Sequence, residues 1–241
     1  SNLSPLAINI QTLKTRSLTA LIFVIVMLTG LFVHQWTYVG LMLIVMLGCL
    51  YEFNKIIKKI YGGKYQLYLP LALLYIILPL LLMIDLGLNG IAYLQPDLIN
   101  TEAAYSYSPL LPCAVIFSIW INDTMAYIVG SMIGKTPFSP ISPKKTWEGT
   151  IGGAVLCVVV ISLLGAFLPV AQLLPWYHWA AIAAICAVFG TLGDLLESKL
   201  KRMADIKDSG TIMPGHGGFL DRFDSLLLAA GFVWLYIKFI C

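Results

Sequence analysis

The amino-acid sequence predicts an all-α, polytopic integral membrane protein with about seven transmembrane helices. Of its 241 residues, 59% are hydrophobic, and the mean hydropathy is +0.88. Only 11% of the residues are charged, whereas a soluble domain carries about 25%. Several apolar runs approach the roughly 20 residues that cross a bilayer as a helix. These observations leave no room within the 241 residues for a second, soluble domain.

The apolar runs place the predicted spans, in order, at 17–33, 36–53, 67–85, 109–134, 150–170, 176–198 and 223–240. The first run follows Lys14 and Arg16, as the apolar part of a signal peptide would. It lacks a small-residue cleavage pattern and leads into further apolar runs, so we interpret it as a retained helix. A tight turn at His34 and Gln35 joins it to the second span.

The distribution of basic residues predicts the orientation. All of the 15 Lys and Arg residues except Lys238 lie in segments 1–16, 54–66, 135–149 and 199–222, which are alternate connections between the spans. The positive-inside rule assigns these segments to the cytoplasm. We therefore expect a multi-pass protein of the cell membrane (the inner membrane), with a cytoplasmic N-terminus. The lysines of the 54–66 loop are expected to face anionic lipid headgroups.

The chain is predicted to have two regions. Residues 1–108 form three N-terminal membrane spans, and residues 109–241 form a catalytic membrane region of four spans. Cytoplasmic loops 135–149 and 199–222 belong to the second region.

Three carboxylates, Asp194, Asp221 and Asp224, lie in the most densely charged part of the chain. Ionisable groups beside hydrocarbon are costly and indicate a functional site. At 1.5 Å per residue, Asp194 lies about 22 Å into the sixth span, and Asp123 about 20 Å into the fourth. Three spans are therefore predicted to direct carboxylates into one cavity that opens to the cytoplasm. Carboxylates favour a hard cation, and the nearby basic residues and glycines favour a phosphate-bearing substrate.

Helical spacing adds neighbours to Asp194. Glu197, Ser198 and Lys201 follow it at i+3, i+4 and i+7, on one face of the sixth span. For Glu197 and Lys201 an intrahelical ion pair is the alternative to a role in the site. Glu52, at the end of the second span, is expected to pair with Lys55 or Lys59.

A glycine-rich loop, 210–218, connects the last two spans. Glycines such as Gly217 and Gly218 let backbone N–H groups approach an anion closely. An ordinary flexible loop is the alternative. The side chain of His216 is open to three interpretations: a base, a phosphate donor or a packing residue.

Two further polar groups are candidates for the site, and the first of them suits phosphate oxygens. Ser142, Lys145 and Thr146 combine hydroxyl donors with a point charge. Trp147, which follows them, is more typical of an interface anchor than of a base-stacking platform. Asn122 and Asp123 are polar at membrane depth, where the alternative is a structural pair between helices.

The C-terminal pattern resembles the signature of the phosphatidate cytidylyltransferases, or CDP-diacylglycerol synthases. The resemblance rests on Ser198, Lys201, Arg202, Lys207, Asp208, Pro214, His216, Gly217, Gly218, Asp221, Arg222 and Asp224. Segments 122–127 and 142–149 resemble the same family. The first 100 residues match it only in being hydrophobic helices.

The resemblance implies that CTP and phosphatidic acid react to give CDP-diacylglycerol and pyrophosphate. It implies Mg²⁺ dependence, with K⁺ as a candidate second cation, and a homodimer in the lipid bilayer without a nucleic-acid partner. Asp194 and Asp221 match metal ligands, and Asp224 lies near them. The expected catalytic residues are Asp194, Asp221, Lys201, Arg202, Lys207, Asp208, His216 and Arg222. The expected substrate-binding residues are Ser142, Lys145, Thr146, Trp147, Ser198, Gly217, Gly218, Asn122 and Asp123. The alternatives are a CTP-dependent polyprenol or lipid kinase and an ion-coupled transporter.

Overall fold

The computed structural model describes residues 10–95, 97, 101, 105–212 and 217–241. In these residues it has seven α-helices and one short hairpin. The helices are α1 (Ile10–Phe32), α2 (Gln35–Tyr61), α3 (Leu78–Leu94), α4 (Leu110–Ile133), α5 (Trp147–Phe167), α6 (Trp176–Met203) and α7 (Leu220–Phe239). Within the described residues, five helical segments have the length and composition to cross a membrane: Gln35–Tyr68, Leu73–Leu94, Leu110–Ile133, Trp147–Phe167 and Trp176–Met203. The predicted class, an all-α multi-pass membrane protein, is confirmed.

The second and third predicted spans have different bounds in the structure. Helix α2 continues to Tyr61, and a 3-10 segment, Gly62–Tyr68, follows it, so the predicted loop 54–66 is helical. Lysine is a good helix former, and its charge is favourable in the last turn of a helix. The third span begins at 73 as a π-helical turn and ends at 94, whereas the prediction placed it at 67–85.

The end of the third span was misplaced because Asp85 is satisfied inside the structure. Its carboxylate accepts hydrogen bonds from Asn89 Nδ2 at 2.7 Å, Tyr93 Oη at 2.6 Å and the indole Nε1 of Trp234 on α7 at 2.6 Å. A carboxylate with three donors can remain at membrane depth, because the hydrogen bonds offset the cost of burying its charge. The interaction also joins α3 to α7.

Small residues bring the helices around the polar site close together. A Cβ on Gly153 of α5 would overlap Ala126 of α4, and a Cβ on Gly193 of α6 would meet the main chain of Asp224 on α7. Close backbone approach through small residues is typical of helix packing in membranes. It places α4, α5, α6 and α7 side by side.

An antiparallel hairpin, β1 (Pro137–Ser139) and β2 (Ser142–Thr146), precedes α5. Two contacts fix its position. Thr146 caps α5 by accepting the backbone N–H of Gly149 at 3.2 Å. Glu148, in the first turn of α5, accepts the hydroxyl of Thr136 at 2.8 Å. The hairpin therefore folds back against the start of α5 and carries its lysines towards α4 and α6.

Candidate functional site

A polar cavity of about 440 Å³ lies between α4, the hairpin, α5 and α6. The predicted site residues among its lining are Asn122, Asp123, Ser142, Lys145, Thr146 and Asp194. They come from three separate stretches of the sequence. The cavity thus brings together six of the residues that the sequence marked as candidates, with hydroxyl, amide, cationic and anionic groups on its walls.

Asp194 connects the cavity to the deeper part of the site. Its carboxylate forms an ion pair with Lys145 of β2. It also accepts the hydroxyl of Ser198, one turn along α6, at 3.2 Å. Lys145 is therefore held at the boundary between the cavity and the acidic groups of α6 and α7.

Two further carboxylates, those of Glu197 and Asp224, converge on Asp194. One ligand atom each from Asp194, Glu197 and Asp224 lies within 4.8 Å of the other two. Glu197 is buried, and the other two side chains are partly buried. The close approach of α7 to Gly193 on α6 makes the convergence possible. Oxygen ligands clustered in this way suit a hard divalent cation such as Mg²⁺.

Asp221 lies outside this cluster in the structure, one turn earlier on α7. Its Oδ1 accepts Lys201 Nζ at 2.7 Å, and its Oδ2 accepts the backbone N–H groups of Ser209 and Gly218, each at 2.8 Å. Lys201 also lies 2.5 Å from Glu197 Oε2. The structure thus groups Asp194 and Asp224 with Glu197, and it connects Asp221 to that group through the Lys201 ammonium.

The remaining predicted residues have varied positions. The side chain of Trp147 is 48% exposed and packs edge-on against Phe138, with ring centroids 4.5 Å apart, and it does not line the cavity. Four predicted residues have exposed side chains: Arg202 in the last turn of α6, Lys207 and Asp208 between α6 and α7, and Arg222 in the first turn of α7. His216 lies outside the described residues.

The glycine loop contains a position that requires glycine. Gly217 has φ +82°, and a Cβ there would overlap the carboxylate of Asp221. Left-handed backbone is strained for other residues. Gly217 and Gly218 therefore shape the main chain around Asp221, and the N–H of Gly218 is one of the donors to it.

The prediction missed two residues of this polar network. Glu52 of α2 was expected to pair with a neighbouring lysine, but its carboxylate accepts Ser209 Oγ at 2.7 Å and two backbone N–H groups at the start of α7. Ser209 was not singled out at all. The signal for Glu52 was available, because it is an acidic residue within an apolar helix and needs a partner there.

The fold and the site define a class: a multi-pass helical membrane protein whose acidic cluster adjoins a polar, lysine-bearing cavity. Within that class, residues 97–240 match the model of the Cytidylyltransferase family. The chain belongs to this family.

Known relatives agree with the family assignment. The chain is 49% identical over 121 residues to the phosphatidate cytidylyltransferase of Bacillus subtilis (strain 168), a match that covers 49% of this chain and 44% of that protein. It is 42% identical over 126 residues to the phosphatidate cytidylyltransferase of Synechocystis sp., covering 49% and 40% of the two proteins. It is 37% identical over 150 residues to phosphatidate cytidylyltransferase 4, chloroplastic, of Arabidopsis thaliana, covering 62% and 38%. The chain spans less than half the length of these relatives.

Proposed function

We propose that this protein transfers the cytidylyl group of CTP to phosphatidic acid, giving CDP-diacylglycerol and pyrophosphate. The observation that carries the proposal is the direct junction between the polar cavity and the acidic cluster, formed by the ion pair of Lys145 with Asp194. The family and the names of the relatives support the reaction type.

The polar cavity is the proposed binding place of the CTP triphosphate. Lys145 contributes a positive charge, and Ser142 and Thr146 contribute hydroxyl donors. Phosphoryl oxygens are well matched by such a combination of an ammonium and hydroxyl groups. The volume of about 440 Å³ is within the range of small-molecule sites.

Asp194, Glu197 and Asp224 are the proposed ligands of Mg²⁺. Their spacing of at most 4.8 Å between ligand atoms fits a shared cation, and carboxylate oxygens suit Mg²⁺. When bound, Mg²⁺ would supply positive charge to the triphosphate and to the departing pyrophosphate. K⁺ as a second cation remains part of the proposal without an assigned set of ligands.

The chemical step requires little proton transfer. A phosphate oxygen of the lipid attacks the α-phosphorus of CTP and forms a new P–O bond. The bond from that phosphorus to the bridging oxygen breaks, and pyrophosphate leaves with the electron pair. Because the lipid phosphate is already an anion, positioning and charge compensation are the main requirements. Lys145 would compensate the negative charge of the triphosphate in the cavity, and Lys201 holds the carboxylates of Glu197 and Asp221 in place.

The proposed orientation puts this chemistry on the cytoplasmic side of the membrane. Residues 135–149, which include the hairpin, and residues 199–222, from the last turns of α6 to the first turn of α7, carry every Lys and Arg of the second half of the chain except Lys238. The positive-inside rule assigns such connections to the cytoplasm, where CTP is dissolved. The acyl chains would stay in the bilayer during the reaction. The expected homodimer stays a prediction, to be checked by the mass of the protein in detergent.

The test is to incubate the purified protein with CTP, phosphatidic acid and Mg²⁺ and to identify the products. Pyrophosphate and CDP-diacylglycerol in equal amounts are expected. CDP in place of pyrophosphate would indicate a lipid kinase and would refute the proposal. An Asp194→Asn variant is the matched control, because it should produce neither product while remaining folded.

A further inference from the structure

Glu52 is a buried carboxylate in a region that the family match does not include. Its side chain is 1% exposed, and it lies on α2, before residues 97–240 of the match. Burying a carboxylate is costly unless several donors surround it. Within the part of the chain that the structure describes, its donors are the Ser209 hydroxyl, in the connection between α6 and α7, and two backbone N–H groups at the start of α7.

Glu52 caps α7 from another helix. Its Oε1 accepts the N–H of Phe219 at 3.0 Å, and its Oε2 accepts the N–H of Leu220 at 2.9 Å. Phe219, at the N-cap position of α7, makes no side-chain capping hydrogen bond of its own. The first N–H groups of a helix have no partner within the helix, and a negative charge there is favourable. Glu52 supplies both the acceptor and the charge.

Three glycines adapt the surroundings to this contact. A Cβ on Gly210 or on Gly218 would overlap the Glu52 carboxylate. One turn earlier on α2, a Cβ on Gly48 would overlap the ring of Phe219. The start of α7 is therefore fitted to α2 at two successive turns, by a hydrogen-bonded charge and by a packed ring.

Further polar contacts connect Glu52 to the acidic cluster. Ser209 Oγ lies 2.7 Å from Glu52 Oε2 and 2.9 Å from Asp221 Oδ2. Asp221 in turn holds Lys201, which lies 2.5 Å from Glu197. An unbroken series of short contacts thus joins Glu52 to a carboxylate of the proposed metal site.

We propose that Glu52 is a positioning residue for the reaction at this site. It sets the start of α7, and so fixes where Asp221 and Asp224 lie relative to α6. Among the described residues, the hydrogen-bond partners of Glu52 do not line the polar cavity, so it acts through the carboxylates of α7. The inference rests on the proposed cytidylyl transfer for its kinetic part.

The test compares Glu52→Gln with Ile56→Val, a buried substitution one turn further along α2. A glutamine keeps the size but has one acceptor oxygen in place of two. We expect kcat to fall about tenfold or more in Glu52→Gln, with KM for CTP changed less than about twofold, because ground-state binding in the cavity is untouched. Ile56→Val should leave both constants near those of the wild type. A wild-type kcat in Glu52→Gln would overturn the proposal, as would an equal loss in both variants.

Ser209→Ala provides a second variant if Glu52→Gln does not fold. It removes the hydroxyl between the two carboxylates and leaves the cap on α7. A partial loss of kcat is expected. Where Glu52→Gln does fold, the losses of the two variants should not be additive, because both act through one network. Wild-type kcat in Ser209→Ala, or full additivity, would contradict the role.

Hydrogen exchange separates this inference from the proposed function. The amides of Phe219 and Leu220 should exchange faster in Glu52→Gln than in the wild type, while those of α5 stay unchanged. Unchanged exchange at these two amides would refute the positioning role. If the wild type made no CDP-diacylglycerol, the proposed function would fail, and the exchange experiment would still decide whether Glu52 fixes α7.

Discussion

Replacing Asp224 by Asn should make the metal-free protein more stable and should abolish its stabilisation by Mg²⁺. The ligand atoms of Asp194, Glu197 and Asp224 lie within 4.8 Å of one another. Two unit charges at that distance repel by about 3 kcal/mol at an effective dielectric constant of 20. Lys145 and Lys201 compensate part of this repulsion, and water screens more of it. Removing one charge should therefore stabilise the metal-free protein by about 1 kcal/mol.

Asparagine keeps the carbonyl oxygen that can accept the N–H of Ser225, which lies 2.6 Å from Asp224 Oδ1, so the local fold should persist. The assay is thermal unfolding in detergent at mildly alkaline pH, with a chelator or with saturating Mg²⁺. In chelator the variant should unfold about 2–4 °C above the wild type. Added Mg²⁺ should raise the unfolding temperature of the wild type but not that of the variant.

An Asp97→Asn variant is the control, because this carboxylate is exposed in the connection before α4. It should respond to Mg²⁺ as the wild type does. The reasoning would be refuted if Asp224→Asn were less stable in chelator and still gained stability from Mg²⁺. Such a result would mean that the three carboxylates do not share a cation.

Three further substitutions test other parts of the structure. Gly217→Ala should lower turnover about tenfold or more through backbone strain at φ +82°. Gly63→Ala is the control and should keep wild-type turnover, because its Cβ would meet nothing within 4 Å. Equal activities of the two variants would contradict the strain argument. Lys145→Ala should raise KM for CTP more than Lys144→Ala, because Lys145 is the one of these two lysines that forms an ion pair with the acidic cluster. Steady-state kinetics that rank the two variants in the opposite order would refute the proposed position of the triphosphate. Asp85→Asn should lower the unfolding temperature with KM unchanged, since it weakens two hydrogen bonds within α3 and one to Trp234 of α7. An unaltered temperature would refute a structural role.

Local periodicity carries much of the information about the site. The spacing of Asp194, Glu197, Ser198 and Lys201 predicts one helical face, and in the structure Lys201 reaches Glu197 while Ser198 reaches Asp194. The apolar runs likewise predict the seven helices, although charged residues inside α2 and α3 led the prediction to end both of them too early. Patterns within one helix are readable because the helix geometry is fixed.

Contacts between residues far apart in the sequence could not be predicted from this periodicity. The sequence offered Asp221 as a partner of Asp194, and the structure places Glu197 there with Asp224. Which carboxylates meet Asp194 depends on where α7 begins. That point is fixed by the hydrogen bond from the N–H of Leu220 to Glu52, which lies 168 positions earlier in the sequence. The hairpin at 137–146 was also missed, because strands of three and five residues have too little periodicity to identify.

Helix α7 depends on the N-terminal half of the chain at two places. Glu52 of α2 holds its first turn, and Asp85 of α3 accepts the indole N–H of Trp234 towards its other end. Carboxylates of α7 contribute to the polar network of the site, so a shift of either contact would move them relative to α6. The match to the family begins at residue 97, yet the geometry of the matched residues is fixed partly by residues before it. The N-terminal helices are therefore part of the structural basis of the site, in addition to their role as membrane spans.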